Sequence, residues 1–103
     1  MNEKLKDEKL DSLFEAILKL ETIEECYNFF DDLCTITEIK SICQRFDVAK
    51  MLDKKSVYTD IEKETGASSA TISRVNRCLT YGSGGYRLIL DRLKESESGR
   101  ERN

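Results

Sequence analysis

The sequence predicts an all-α fold of six helices, and three observations support this prediction. Apolar residues recur at intervals of three and four along most of the chain, which is the period of one helix face. The chain has no proline, and three of its five glycines lie within residues 82–85, so most segments contain no helix breaker. Three Thr-x-x-Glu sequences, each a candidate capping box, mark helix starts.

The first three helices follow from the apolar spacing and from two of the capping boxes. The first helix has one apolar face, formed by Leu10, Leu13, Phe14, Ile17 and Leu20. Thr22 and Glu25 predict the start of a short second helix, because the threonine hydroxyl can cap the helix and the glutamate can bond back. Thr35 and Glu38 predict in the same way a longer third helix, which we expect to end near residues 53–55.

The fourth and fifth helices are delimited by a glycine and by serines. Thr59 and Glu62 form the third capping box, which predicts a helix of two turns. This helix is expected to end at Gly66, because glycine readily adopts the left-handed conformation of a helix C-cap. Ser68 or Ser69 is then expected to cap the fifth helix, which the glycine-rich segment ends.

The sixth helix is predicted from apolar residues that begin at Tyr86, and we expect the polar sequence from Glu95 onward to fray. The length of the chain suits one domain. We therefore expect a single helical domain over residues 1–96, with a helix-turn-helix at 58–79 and a polar tail at 97–103.

Charge is distributed unevenly along a chain whose formal net charge is −3. Residues 1–33 contain ten acidic and four basic residues, whereas residues 66–82 contain two arginines and no acid. Net charge affects solubility and steering but does not decide what one face can bind. Any nucleic-acid binding is therefore expected to depend on a local surface, doubled by symmetry.

Several kinds of site are not expected. The four cysteines form no C-x-x-C pair and the chain has no histidine, so we predict no metal site and no disulfide. Without a histidine or a glycine-rich phosphate loop we predict no catalytic residue, no cofactor and no enzymatic activity. The chain has no apolar run of membrane-spanning length and no signal peptide, so we expect a cytoplasmic protein without a membrane partner.

Residues 58–79 have the pattern of a helix-turn-helix that contacts DNA. The apolar side chains expected to face inward from its two helices and turn are Ile61, Ala67, Ile72 and Val75. Small and hydroxyl residues at the start of the second helix would let its N-terminus approach base edges, and basic residues would neutralise phosphate. The candidate DNA-contacting residues are Lys55, Thr59, Ser68, Ser69, Ala70, Thr71, Ser73 and Arg77.

The alternative for the same segment is an uncharged, capped helix that only covers a core. Asp60, Glu62 and Glu64 on the preceding helix would repel phosphate, so we expect their side of that helix to face away from the DNA backbone.

The first two helices are predicted to be apolar on one face and acidic on the other. So short a chain has few residues to cover these faces, and we therefore expect a homodimer. A monomeric bundle is the alternative.

Three segments of the chain resemble the tryptophan repressor family, and residues 22–86 are most similar to its TrpR-like YerC/YecD group. The segments are ECYNFFDDLCTITEI, SICQRFDVAKML and ETGASSATISRVNRCLTYG. The resemblance implies a six-helix chain in an interlocked homodimer, with one helix-turn-helix presented by each subunit. It also implies operator contacts from Ala70, Thr71 and Ile72.

The tryptophan-binding members of that family hold their ligand with two arginines and a threonine, which match Arg45, Arg74 and Thr35. The resemblance therefore implies that Arg74 serves a ligand pocket rather than DNA. Val75 replaces a glycine that leaves room for the indole ring, and Cys78 replaces a serine that receives the amino group. Tryptophan is therefore not the expected ligand, and another small-molecule corepressor stays an open alternative.

These observations predict a homodimeric, sequence-specific regulator of transcription, acting as a repressor on a palindromic site in double-stranded DNA. Base-reading positions differ from those of the tryptophan binders, so a different operator is expected. The alternative function is a protein-interaction adaptor of the transcription machinery that does not read DNA, which the acidic first helices motivate.

Overall fold

A computed structural model of the chain describes the backbone of residues 7–101 and the side chains of residues 7–97. Within this part of the chain there are six α-helices and no strand, which confirms the all-α prediction. The helices are α1 (Glu8–Ile17), α2 (Ile23–Leu33), α3 (Ile36–Asp53), α4 (Tyr58–Thr65), α5 (Ser69–Tyr81) and α6 (Gly85–Glu101). None of these six is both long and apolar enough to cross a membrane.

The predicted capping box before α3 is present, and the one before α2 is present in part. Before α3, the Thr35 hydroxyl accepts from the Glu38 N–H at 3.2 Å, and the Thr35 N–H donates to the Glu38 carboxylate at 2.8 Å. This hydrogen bond from the Thr35 N–H lowers the pKa of Glu38. Before α2, the Thr22 hydroxyl accepts from Glu25, but the Glu25 carboxylate accepts from the N–H of Glu21 instead of that of Thr22. Both arrangements satisfy N–H groups that a helix start leaves without partners.

The third predicted capping box is wrong, because α4 begins at Tyr58 and Thr59 lies inside it. The chain leaves α3 through Lys55, which has a left-handed φ of 66°. The Ser56 N–H then donates to the Met51 carbonyl at 3.0 Å, which is the Schellman arrangement. This sharp exit brings Val57 to the N-cap position, where it provides no side-chain hydrogen bond.

The backbone of α6 continues as a helix to Glu101, beyond Glu95, and the expected fraying of this end stays a prediction. The segment contains no proline, and serine, glutamate and arginine are all tolerated in helices, whereas Gly99 is unfavourable. Residues 102 and 103 of the predicted tail lie outside the described residues. The boundary between domain and tail stays a prediction.

The chain divides into two compact units, Met1–Ile42 and Cys43–Asn103. In the first unit, α1 and α2 contain no buried residue. The second unit contains every buried apolar residue found among the described side chains, and these residues are Val48, Ala49, Leu52, Ile61, Ala67, Ile72, Val75 and Leu90. The helix-turn-helix therefore packs against, and contributes to, a core formed within residues 43–97.

An acid at the end of α3 ties α6 to this core. The Asp53 carboxylate accepts a hydrogen bond of 2.6 Å from Arg87 and lies 2.7 Å from the Lys94 ammonium group. Hydrogen bonds from Lys94 and then Arg87 lower the pKa of Asp53, whose side chain is only 9% exposed. A carboxylate is unfavourable at a helix C-terminus, and the two cations offset that cost. Arg87 also bonds Asp91 at 3.0 Å.

Candidate nucleic-acid interface

The turn between α4 and α5 has three residues, and each is held by a specific interaction. Gly66 has φ 72° and ψ 5°, and its N–H donates to the Glu62 carbonyl. Ala67 is buried. Ser68 is the N-cap of α5, and its hydroxyl accepts from the Thr71 N–H at 3.2 Å. These positions confirm Gly66 as the left-handed cap and decide between the two predicted serine caps in favour of Ser68.

The four residues predicted to face inward are all buried, namely Ile61, Ala67, Ile72 and Val75. Because Ile72 is completely buried, the operator contact that the family resemblance implies for it is wrong. They belong to one hydrophobic cluster with residues of α3, against which Leu79 and Tyr86 also pack. Because the inward side of α5 is buried, the rotation of this helix about its axis is determined, and so is the identity of the residues on its outer side.

The outer side of α5 is formed by Ala70, Ser73, Arg74 and Arg77, all of them exposed. Their spacing of three, four and seven residues places them on one helix face, opposite Ile72 and Val75. We call these four residues the recognition face. Ser69 is exposed beside it in the first turn. No acid occurs between residues 66 and 82, so the recognition face contains two positive charges and no negative charge.

Ser68 and Thr71 differ from the other candidates because they bond to each other. The Ser68 hydroxyl donates to Thr71 Oγ1 at 3.1 Å while accepting from the Thr71 N–H. The donor of Ser68 is therefore used within the protein, and its role is helix capping. Thr71 is half-buried, but its own hydroxyl proton is not used by the bond to Ser68 and can be donated to a ligand.

The candidates outside α5 lie near the start of α4. Lys55 is exposed in the connection between α3 and α4, and Thr59 is exposed in the first turn of α4. Asp60, Glu62 and Glu64 are also exposed. The acidic residues of α4 thus lie in solvent, and the direction they take relative to DNA stays a prediction.

The three candidate ligand residues have separate surroundings. Thr35 caps α3 within the first unit, whereas Arg45 and Arg74 are exposed residues of the second. A cavity of about 250 Å³ is lined by Asp47, Lys50, Met51, Lys54, Glu64 and Thr65. A second cavity of about 100 Å³ is lined by Lys50, Asp53, Lys54, Leu90, Leu93, Lys94 and Glu97. Neither cavity includes Thr35, Arg45 or Arg74, so a pocket built from these three residues stays a prediction.

All four cysteines are free thiols, and Cys78 of α5 is exposed next to Arg77. Within residues 7–97, no group of three or more histidine, cysteine, aspartate or glutamate side chains is arranged to hold a metal ion.

Two residues outside the turn hold it in place, and neither was predicted from the sequence. The Thr65 hydroxyl donates to the Ile61 carbonyl at 2.7 Å and accepts from the Ala67 N–H at 3.1 Å. The Gln44 side-chain amide of α3 donates to the Thr65 carbonyl at 3.1 Å. A threonine just before a turn glycine is a weak signal for the first contact. No sequence pattern indicates the second, because its partners are 21 residues apart.

Comparison with known proteins decides the family. The sequence profile described as "Trp repressor protein" matches residues 8–94. The chain belongs to the Trp repressor family. It is 58% identical over 96 residues to an uncharacterized protein, YerC, of Bacillus subtilis strain 168, and the match covers 93% of this chain and 92% of that protein.

Two crystal structures agree with this membership of the Trp repressor family. A Staphylococcus aureus protein provisionally assigned as a Trp repressor has a TM-score of 0.87 and 57% identity, over 91% of this chain and 95% of that chain. A TrpR-like protein from Eubacterium eligens has a TM-score of 0.87 and 55% identity, over 90% and 96% of the two chains. The resemblance to the TrpR-like group is thereby confirmed, and family membership indicates a helix-turn-helix DNA-binding regulator.

Proposed function

We propose that this chain is a sequence-specific, homodimeric repressor of transcription that reads double-stranded DNA with the recognition face of α5. The observation that carries the proposal is that face itself. Two arginines and two small residues form an exposed, acid-free surface whose opposite side is anchored by the buried Ile72 and Val75.

Each residue type on the recognition face suits one part of a DNA groove. Ala70 has a methyl group that can contact the methyl group of thymine, and the Ser73 hydroxyl can bond a base edge or a phosphate. Arg77 lies seven residues after Ala70, two turns along the same face, and provides a charge for phosphate. Lys55 and Thr59, near the start of α4, are proposed to contact the flanking backbone.

A dimer is proposed because α1 and α2 bury no residue although they contain large apolar side chains. Ile23 and Tyr27 of α2 are 77% and 75% exposed. A second copy that covers these faces would also provide a second recognition helix. The two helices would then enter successive major grooves about 34 Å apart, so the target is expected to be a palindrome with half-sites separated by one helical turn.

Selection of bound fragments from genomic or random DNA tests the proposal, and a palindromic consensus is the expected result. With that site in hand, Arg77→Ala should weaken binding to every sequence and lower the slope of log affinity against log salt by about 1. Ser73→Ala should instead change the preference at one base pair, by about 0.5–1.5 kcal/mol if one hydrogen bond to a base is lost.

Arg92→Ala is the matched control, because it removes the same charge from an exposed position on α6. It should leave both the affinity and the salt slope unchanged. A protein that binds no DNA at low salt, or an Arg77→Ala variant that binds like the unmodified protein, would contradict DNA reading by α5.

The second candidate function is a protein-interaction adaptor, which the exposed Ile23 and Tyr27 and the neighbouring acids Glu24 and Glu25 favour. A monomer that binds no DNA but forms a stoichiometric complex with a component of the transcription machinery would support it.

A small-molecule corepressor bound by Thr35, Arg45 and Arg74 is a further proposal. Repeating the DNA selection with and without amino acids tests it, because a corepressor would change the yield of bound DNA.

A further inference from the structure

The direction in which α5 projects depends on the three-residue turn that precedes it. Thr65, the last residue of α4, uses its hydroxyl on both sides of this turn. It donates to the Ile61 carbonyl at 2.7 Å and accepts from the Ala67 N–H at 3.1 Å. The hydroxyl therefore links a residue of α4 with the buried residue of the turn, one position before the cap of α5.

The main-chain carbonyl of Thr65 connects the turn to a different helix. At a helix C-terminus this carbonyl has no partner within the helix. Here it accepts a hydrogen bond of 3.1 Å from the side-chain amide of Gln44, a residue of α3, and both groups are half-buried. The same amide nitrogen lies 3.9 Å from the position that a Cβ atom on Gly66 would occupy. Gln44 therefore lies against the turn.

Few side chains of the described residues link one helix to another by hydrogen bonds or ion pairs. One link joins Asp53 to α6, and the other joins Gln44 to Thr65. The first joins the last residue of α3 to α6 and involves no residue of the turn. The second acts at the turn itself.

We propose that Gln44 and Thr65 are positioning residues that hold the recognition face at the angle needed for sequence-specific binding. This inference rests on the proposed DNA-binding function. Neither residue needs to touch DNA. Thr65 determines where the Ala67 N–H lies, and Gln44 determines where the Thr65 carbonyl lies relative to α3.

The consequence for binding follows from the geometry of base contacts. Phosphate contacts depend mainly on charge and tolerate small displacements of the helix, whereas base contacts require a specific position and direction. Loss of the Gln44–Thr65 link is therefore expected to reduce affinity for the selected site more than affinity for random DNA. The salt slope should not change, because no charge is removed.

The experiment uses the full chain with Thr65→Val, which keeps the side-chain shape but removes the hydroxyl, and with Gln44→Ala. Thr65→Ser restores the hydroxyl, and Thr37→Val makes the same change as Thr65→Val at an exposed position of α3. Hydrogen exchange of the Ala67 amide, followed by NMR, reports on the turn without DNA. Binding to the selected site and to random duplex is measured in parallel.

Thr65→Val should speed exchange at Ala67 by about tenfold, because it removes the acceptor of that N–H. Thr65→Val and Gln44→Ala should each lower the ratio of specific to random affinity by about threefold to tenfold, as expected for one lost hydrogen bond. Thr65→Ser and Thr37→Val should match the unmodified protein in both measurements. Unchanged exchange at Ala67 in Thr65→Val, or an unchanged ratio in folded variants, would overturn the positioning role alone. Absence of DNA binding by the unmodified protein would instead overturn the proposed function, while the exchange measurement would still report on the turn.

Discussion

The two units of the chain use their apolar residues in different ways. In residues 43–97, Ile61 and Ile72 are completely buried, and the turn of the helix-turn-helix contributes Ala67 to the same cluster. In α1 and α2 no residue is buried, although both helices have the apolar spacing of an amphipathic helix. The second unit thus has a core of its own, whereas none of the apolar side chains of α1 and α2 in the first unit is buried.

This difference separates two parts of the proposed function. A recognition helix must be held rigidly, and the hydrophobic cluster that contains Ile72 holds α5 within a single chain. Apolar faces that stay exposed are costly in water and are typical of surfaces that bind another protein. The first unit is therefore the place to test for the dimer, and the second is the place to test for DNA reading.

The largest effect is expected from Ile72→Ala, in the unit that has a core. Removing buried methyl and methylene groups from a completely buried site leaves a cavity and should lower the free energy of unfolding by about 2–5 kcal/mol. Chemical denaturation followed by circular dichroism measures this change. A loss below about 1 kcal/mol would mean that the core of the second unit is more loosely packed than the structure indicates.

The corresponding change in the first unit is Ile23→Ala. In an isolated chain this residue is 77% exposed, and the substitution should change stability by less than about 0.5 kcal/mol. In the proposed dimer it removes buried surface, so we expect a loss of about 1–3 kcal/mol per chain. The melting temperature should then depend on protein concentration. Sedimentation equilibrium checks the association directly, and a concentration-independent melting temperature would contradict the dimer.

Asp53→Asn tests whether α6 is held to the core by its ion pairs. Loss of the charged hydrogen bonds from Lys94 and Arg87 should cost about 1–2 kcal/mol at neutral pH. Because folding lowers the pKa of Asp53, its contribution is complete above about pH 4 and disappears as the pH falls through the lowered value. The difference between the variant and the unmodified protein should therefore shrink in acid.

Asp91→Asn is the control for this prediction. Asp91 pairs with the same Arg87 but is exposed and lies within the same helix, so its removal should cost less than about 0.5 kcal/mol. Equal losses in the two variants would argue against a specific link between α3 and α6.

A smaller effect is expected at the two left-handed positions that end α3 and α4. Gly66→Ala places a side chain at φ 72°, where the new Cβ would meet only an ordinary contact, so the cost of about 1 kcal/mol is conformational. Lys55→Gly should have the opposite sign and raise stability by a similar amount, about 0.5–1 kcal/mol, because lysine already occupies φ 66°. Thermal denaturation should show a lower melting temperature for Gly66→Ala and a higher one for Lys55→Gly.

The smallest change concerns the start of α4. Val57 is the N-cap and makes no side-chain hydrogen bond, so Val57→Ser should supply the missing acceptor and add about 0.5–1 kcal/mol of stability. Val57→Ala removes the same apolar surface without adding an acceptor. If both variants change stability equally, capping is not the cause.

Much of the helix-turn-helix was predictable because its signals are local. Gly66 marks the turn, Ser68 caps α5, and the spacing of Ile72 and Val75 identifies the buried side of the helix. Thr59 was misassigned because a Thr-x-x-Glu sequence is equally compatible with the first turn of a helix that has already begun. The left-handed conformation of Lys55 after α3 makes Val57, and not Thr59, the N-cap of α4. No sequence pattern predicts a lysine in that conformation.

The surroundings of the candidate ligand residues were likewise not predictable from the sequence. Thr35 was assigned to a pocket through a family resemblance, and the structure shows its side chain in a capping box. Arg45 and Arg74 are exposed, and a shared pocket requires contacts that no spacing along one chain specifies.

By itself, the sequence determined the six helices, the caps of α2, α3 and α5 and the glycine turn, because each depends on residues at most a few positions apart. Only the tertiary structure decided that the buried residues belong to the second unit, that Asp53 bonds Arg87 across 34 positions, and that Gln44 bonds Thr65 across 21. Contacts between residues so far apart depend on how the helices pack against each other. Periodicity identifies which side of a helix is buried, but it does not identify the residues of other helices that this side meets.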